Sequence, residues 1–106
     1  IKMDDMKIRS ISSQLAINMS IAGVGKYKID PATVLAIIEI IMEIIEFIQN
    51  NYSKRSAGRI FLRPDTKSRI KMISLFRKVR LSPLEKVSAI RVVWDTLRDL
   101  RVREVI

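Results

Sequence analysis

Ten basic side chains lie between Lys54 and Arg80: Lys54, Arg55, Arg59, Arg63, Lys67, Arg69, Lys71, Arg77, Lys78 and Arg80. One acid, Asp65, lies among them. The rest of the chain has ten bases and ten acids, so this quarter of the sequence holds the whole net charge of +9. Ammonium and guanidinium groups gathered at this density perform one kind of chemistry well. They meet phosphates or carboxylates on a polyanion. The phosphate backbone of nucleic acid is the expected partner, and such contacts carry no sequence preference. An acidic protein surface is the alternative partner, and a merely solvated basic face is the third reading. Tyr52, Phe61 and Phe76 are the only nearby aromatics. Bases are therefore not expected to stack on an aromatic platform.

Glu39, Glu43 and Glu46 form the second constellation. Their spacings of four and three place them in one stripe along a helix. Paired carboxylates can hold metals, but a two-metal site in a helical bundle needs Glu from several helices and Glu-x-x-His pairs. The chain has no His and no Cys. That removes the usual general base, the usual zinc ligands and the Ser-His and Cys-His nucleophile pairs. The expectation is a non-catalytic protein without cofactor or metal. Gly23-Val24-Gly25-Lys26 resembles a phosphate-binding loop only in part, because position 20 is Ser and position 27 is Tyr. It reads as the end of a helix.

The periodicity predicts an all-α chain of about four helices, folded as one domain over residues 1–106 with the first three residues outside its ordered part. Ile8, Ile11, Leu15 and Met19 mark an amphipathic helix ending at Gly23, and Lys26 to Ile29 read as an extended connection. Asp30-Pro31 opens the second helix with a cap and a proline at its first position, and Asn50-Asn51 closes it. Residues 52–65 read as a basic loop. A third helix over Thr66 to Arg80 is expected to bury Ile70, Ile73, Phe76 and Val79. Ser82-Pro83-Leu84-Glu85 is a capping box that starts the fourth. Its expected apolar stripe is Leu84, Val87, Ile90, Trp94 and Leu97, flanked by Val93 and Leu100. The two- or three-residue gap between the last two helices predicts a tight αα-hairpin. The absence of a turn glycine and of base-reading groups at Pro83-Leu84-Glu85 argues against a sequence-reading helix-turn-helix.

The second helix is apolar around most of its circumference, and three arrangements accommodate that. It can be the central helix of the bundle, an interface between copies, or a membrane-inserted segment. The last is disfavoured. Three carboxylates would cost roughly 2.5–3.5 kcal/mol each at the bilayer centre, against a return of about 0.3–0.6 kcal/mol per apolar residue. Self-association through Ile37, Ile38, Ile41, Ile44, Ile45 and Ile48 is the expectation. The start, Ile1 to Met6, has no signal-peptide character. The combined expectation is a small structural or accessory protein, intracellular (cytoplasmic) or within a viral particle. It would self-associate and contact nucleic acid. A protein–protein adaptor with an acidic partner is the rival, and a membrane-active helical oligomer is the third.

Overall fold

A computed structural model describes residues 5–23 and 30–106. The expected connection at 26–29 and residues 1–3 lie outside the described residues. The described residues form five helices: α1 (Asp5–Ile21), α2 (Pro31–Asn51), α3 (Lys54–Leu62), α4 (Thr66–Phe76) and α5 (Pro83–Val102). The all-α class is as the periodicity predicts. The count differs by one, because residues expected as a basic loop form α3.

Four of the five starts have a local cause shown by a capping side chain. The Asp30 carboxylate accepts from the Thr33 amide at 2.7 Å with Pro31 at the first helical position. Ser53 accepts from the Ser56 amide at 3.2 Å and starts α3. Asp65 accepts from the Ser68 amide at 2.9 Å and starts α4. Ser82 and Glu85 form the reciprocal capping box. These caps satisfy amides that the first helical turn leaves without partners. Gly23 takes a φ of 70° just after α1, as a helix-ending glycine should. At the end of α5, Glu104 takes a φ of 59°. The Glu104 amide bonds to the Arg101 carbonyl and the Val105 amide to the Leu100 carbonyl. That is a Schellman ending with a glutamate where glycine is usual.

The core is built around α2, which touches α1, α3, α4 and α5. Ile37, Ile41, Ile44, Ile45 and Ile48 are at most 1% exposed. They face the chain's own interior and offer no surface to a second copy in this structure. Ile38 is half-buried. Four neighbouring helices are enough to cover the helix, which is why its apolar circumference does not leave an open interface. Leu15 and Ile11 from α1, Phe61 from α3, Met72 and Phe76 from α4, and Val93, Leu97 and Leu100 from α5 complete the packing.

The last two helices bury only part of the faces expected: Phe76, Val79 and Leu97 are buried as predicted, and Ile90 and Trp94 are half-buried. On α4 the buried residues are Ser68, Met72 and Phe76, while Ile70 and Ile73 are 62% and 54% exposed. On α5 they are Ala89, Val92, Val93, Thr96, Leu97 and Leu100, while Leu84 and Val87 are 69% and 66% exposed. The cause lies in α1. It packs along α5 and needs a polar seam there. The Asn18 amide donates to Thr96 Oγ1 and Asp99 Oδ2, both at 3.1 Å, and Gln14 donates to Asp99 at 3.3 Å. Arg103 closes the series by donating to Gln14 Oε1 at 2.9 Å. Turning α5 to present Thr96 and Asp99 to α1 rotates Leu84 and Val87 outward. The link from α4 to α5 runs over residues 77–82, longer than expected, because α4 stops at Phe76 and its last turns tighten.

Candidate polyanion-binding surface

Helix α3 is the simplest part of the basic segment. Ala57, Ile60 and Phe61 fix it to the core at spacings of three and one. Arg55, Arg59 and Arg63 follow one another at intervals of four, and all three are exposed. Residues four apart share a helix face, so Arg55 and Arg59 lie on one outward side of α3, and Arg63 caps its end with an extended backbone. No acid occurs between Lys54 and Pro64. Lys54 turns instead toward a groove of about 300 Å³ with Gln49, Ala57, Gly58, Phe61, Arg101 and Ile106. Gly58 matters for that groove. A Cβ there would stand 3.1 Å from the Arg101 guanidinium, which donates to the Ile106 carbonyl at 3.0 Å.

The bases of α4 are spread over several faces. Lys67 and Lys71 place their ammonium groups 5.8 and 5.5 Å from the Phe47 ring centre, and Lys67 lies 5.9 Å from that of Tyr52. The rings at the end of α2 thus form a negative-faced seat for two cations. Lys71 and Lys78, with Ser74, line a groove whose opposite wall carries Glu39 and Glu43 of α2. The glutamate stripe therefore lies alongside the basic helix, where its field opposes that of Lys71 and Lys78. Arg69 stands at a separate hollow with Ile73, Val87, Ile90 and Trp94. Arg77 and Arg80 are exposed in the turn after α4.

Asp65 is the one acid inside the segment, and it is engaged. It caps α4 and accepts the Tyr52 hydroxyl. These two bonds, the tyrosine first, hold its carboxyl below the ordinary carboxylate range, and the same contact raises the Tyr52 phenol. The ion pairs of Arg98 with Asp95 and Asp99 lie on α5, outside the basic segment.

Of the ten bases, the structure thus sets exposed Arg55 and Arg59 on one face of α3, with exposed Arg63 at its C-terminal end. Arg63 sits at the link that leads to Lys67. Lys71 and Lys78 share a groove with Glu39 and Glu43, Arg69 lines a mostly apolar hollow that also holds Arg91 and Asp95, and Lys54 lines the carboxy-terminal groove. Sequence reasoning had no means of finding Phe47 and Tyr52 under the lysines, because that contact joins two helices. The Arg55 and Arg59 pair on α3 was present in the spacing but was read as loop. Among the described residues, no helix is long and apolar enough to cross a membrane, and no group of three carboxylates converges to hold a metal ion. The chain matches no family model, no curated protein and no solved structure.

Proposed function

We propose that this is a small non-catalytic accessory or structural protein that binds nucleic acid without sequence preference, inside the cell or within a viral particle. Arg55, Arg59 and Arg63 are the main contact, joined by Lys67 from α4 and by Arg77 and Arg80 beyond it. The single observation that carries this reading is the exposure of Arg55 and Arg59 on one face of α3 and of Arg63 at its C-terminal end, on a segment whose only acid is already bonded. Planar guanidiniums suit phosphate oxygens in pairs of hydrogen bonds. Two of them one helical turn apart, with a third at the helix end, present several donors to one phosphate backbone.

The test is titration of a short random duplex and a random single strand by fluorescence anisotropy at rising salt. Binding is expected at low salt and should weaken steeply as salt increases. Polyglutamate serves as competitor. If it displaces nucleic acid at equal charge concentration, an acidic protein partner becomes the better reading. No binding at low salt overturns the proposal.

A further inference from the structure

The α4–α5 pair carries an outward face that the nucleic-acid contact does not use. On α4, Arg69, Ile73 and Ile70 fall within about 100° of the helix circumference. On α5, Leu84, Arg91, Val87 and Trp94 fall within about 80°. The two arcs adjoin, because Arg69, Ile73, Val87, Arg91 and Trp94 all line one hollow of about 400 Å³. Ile70, Ile73, Leu84 and Val87 are each more than half exposed, and Trp94 is half-buried. Exposed aliphatics gathered in this way mark an association surface.

The charges on this face say what covers it. Asp95, the acid at the hollow, is paired with Arg98 at 3.4 Å. The Arg69 and Arg91 guanidiniums have no hydrogen-bond or ion-pair partner among the described residues. Two uncompensated cations thus stand among four exposed aliphatics and an indole. The covering surface must supply anions and apolar area side by side. Nucleic acid would meet the arginines and leave the aliphatics in water. Protein interfaces gather apolar groups into a charge-poor centre with a polar rim. Here Arg69 and Arg91 line the hollow itself, beside Ile73 and Val87. The surface of an anionic bilayer fits this mixture. Its phosphates lie just above its acyl chains, so aliphatic side chains can reach down while arginine heads stay with the phosphates. Indole rings favour the same depth.

We infer that the outer face of the α4–α5 pair docks on the surface of an anionic membrane. Ile70, Ile73, Leu84 and Val87 enter the boundary between headgroups and acyl chains, and Arg69 and Arg91 meet lipid phosphates. The contact is peripheral: among the described residues no helix is long and apolar enough to cross a membrane. It differs from insertion of α2, whose isoleucines are buried in the chain's own core. Arg55, Arg59 and Arg63 lie outside it, so it does not rest on the nucleic-acid reading.

Co-sedimentation of the full chain with vesicles of phosphatidylcholine, pure or carrying about one third phosphatidylglycerol, tests this. Trp94 is the chain's only tryptophan, so its emission reports on the hollow directly. The protein should bind the anionic vesicles at least about tenfold more tightly than the neutral ones, with that emission shifted to the blue. Ile73→Gln with Val87→Gln, both at exposed positions, should keep its helicity by circular dichroism and weaken binding about tenfold or more. Arg69→Gln with Arg91→Gln should do the same. Arg55→Gln with Arg59→Gln removes equal charge from another face and should weaken binding far less. No binding to anionic vesicles overturns the inference. So does binding that leaves Trp94 emission unchanged, or that falls equally with either arginine pair, since net charge alone would then hold the protein. Capture of an acidic amphipathic peptide without vesicle binding would also overturn it, assigning the face to a protein partner. Duplex titration of the Ile73→Gln/Val87→Gln variant separates this from the proposed function, since its α3 arginines are intact and it should still bind.

Discussion

The Tyr52 hydroxyl donates to the Asp65 carboxylate, tying the end of α2 to the start of α4. The same carboxylate caps α4 through the Ser68 amide, so one side chain both starts a helix and fixes it to its neighbour. Asp65→Ala should therefore destabilise more than Tyr52→Phe, which leaves the cap in place. The cap alone is worth about 1 kcal/mol, which is several degrees in Tm for a chain of this size. Equal losses in thermal denaturation would mean that the cap contributes nothing.

The pH dependence follows from the same kind of contact. Asp30, Asp65 and Glu85 all have carboxyl groups held below their ordinary range by hydrogen bonds, at helix starts for Asp30 and Glu85 and to Tyr52 as well as a helix start for Asp65. For Asp30 the Thr33 amide dominates, for Asp65 the Tyr52 hydroxyl, and for Glu85 the Ser82 side chain. A lowered folded-state value means stability is fully present above the unfolded value. It is lost as pH falls from about 4 through the lowered folded values. The chain has no histidine to titrate above that range. Urea midpoints should be flat between about pH 5 and 8 and should fall below about pH 4. A midpoint that moves between 6 and 7 would contradict this account.

Ile41 is fully buried against the rest of the chain. Ile41→Ala should cost about 2–5 kcal/mol in denaturant unfolding, and Ile41→Glu should leave little folded protein. A folded Ile41→Glu monomer would place α2 at a surface, as the apolar sequence alone invites one to do.

The polar seam between α1 and α5 makes a further prediction. Asp99→Ala removes the acceptor shared by Asn18 and Gln14, and should cost about 1–3 kcal/mol. Glu85→Ala, at the N3 position of a solvent-facing capping box, should cost less. Equal stability for Asp99→Ala and the unmodified chain would show the seam to be loosely held.

Helix starts were legible because caps are local chemistry. Asp30-Pro31 and Ser82-Pro83-Leu84-Glu85 open helices where their sequence says. Helix α3 was missed although Ser53 and the Ala57, Ile60, Phe61 spacing signal it, because Gly58 and the run of bases read as loop. The orientation of α5 could not be read. Its sequence offers two competing stripes, one through Leu84 and Val87 and one through Val92, Val93, Thr96 and Leu97. The second is buried because it gives the core Ala89, Val92, Val93, Leu97 and Leu100 and also meets the polar groups of Asn18 and Gln14, about eighty residues away. The basic charge was legible as an amount. Its division into exposed arginines on α3 and lysines that share a groove with Glu39 and Glu43 depends on how α4 lies against α2.

The most direct test of the account is the salt dependence of duplex binding in two sets of variants. If four to six bases engage, the unmodified protein should give a log–log slope of roughly −3 to −5, at about −0.9 per phosphate neutralised. Arg55→Gln, Arg59→Gln and Arg63→Gln together should flatten that slope by up to about 2.7, with helicity kept because Gln is a good helix former. Lys71→Gln with Lys78→Gln should flatten it less per residue removed, because those lysines already share a groove with Glu39 and Glu43. Arg98→Gln, at a residue paired with Asp95, should change it least. Equal effects per residue across all three sets would contradict the account, since they would show net charge acting without a defined surface.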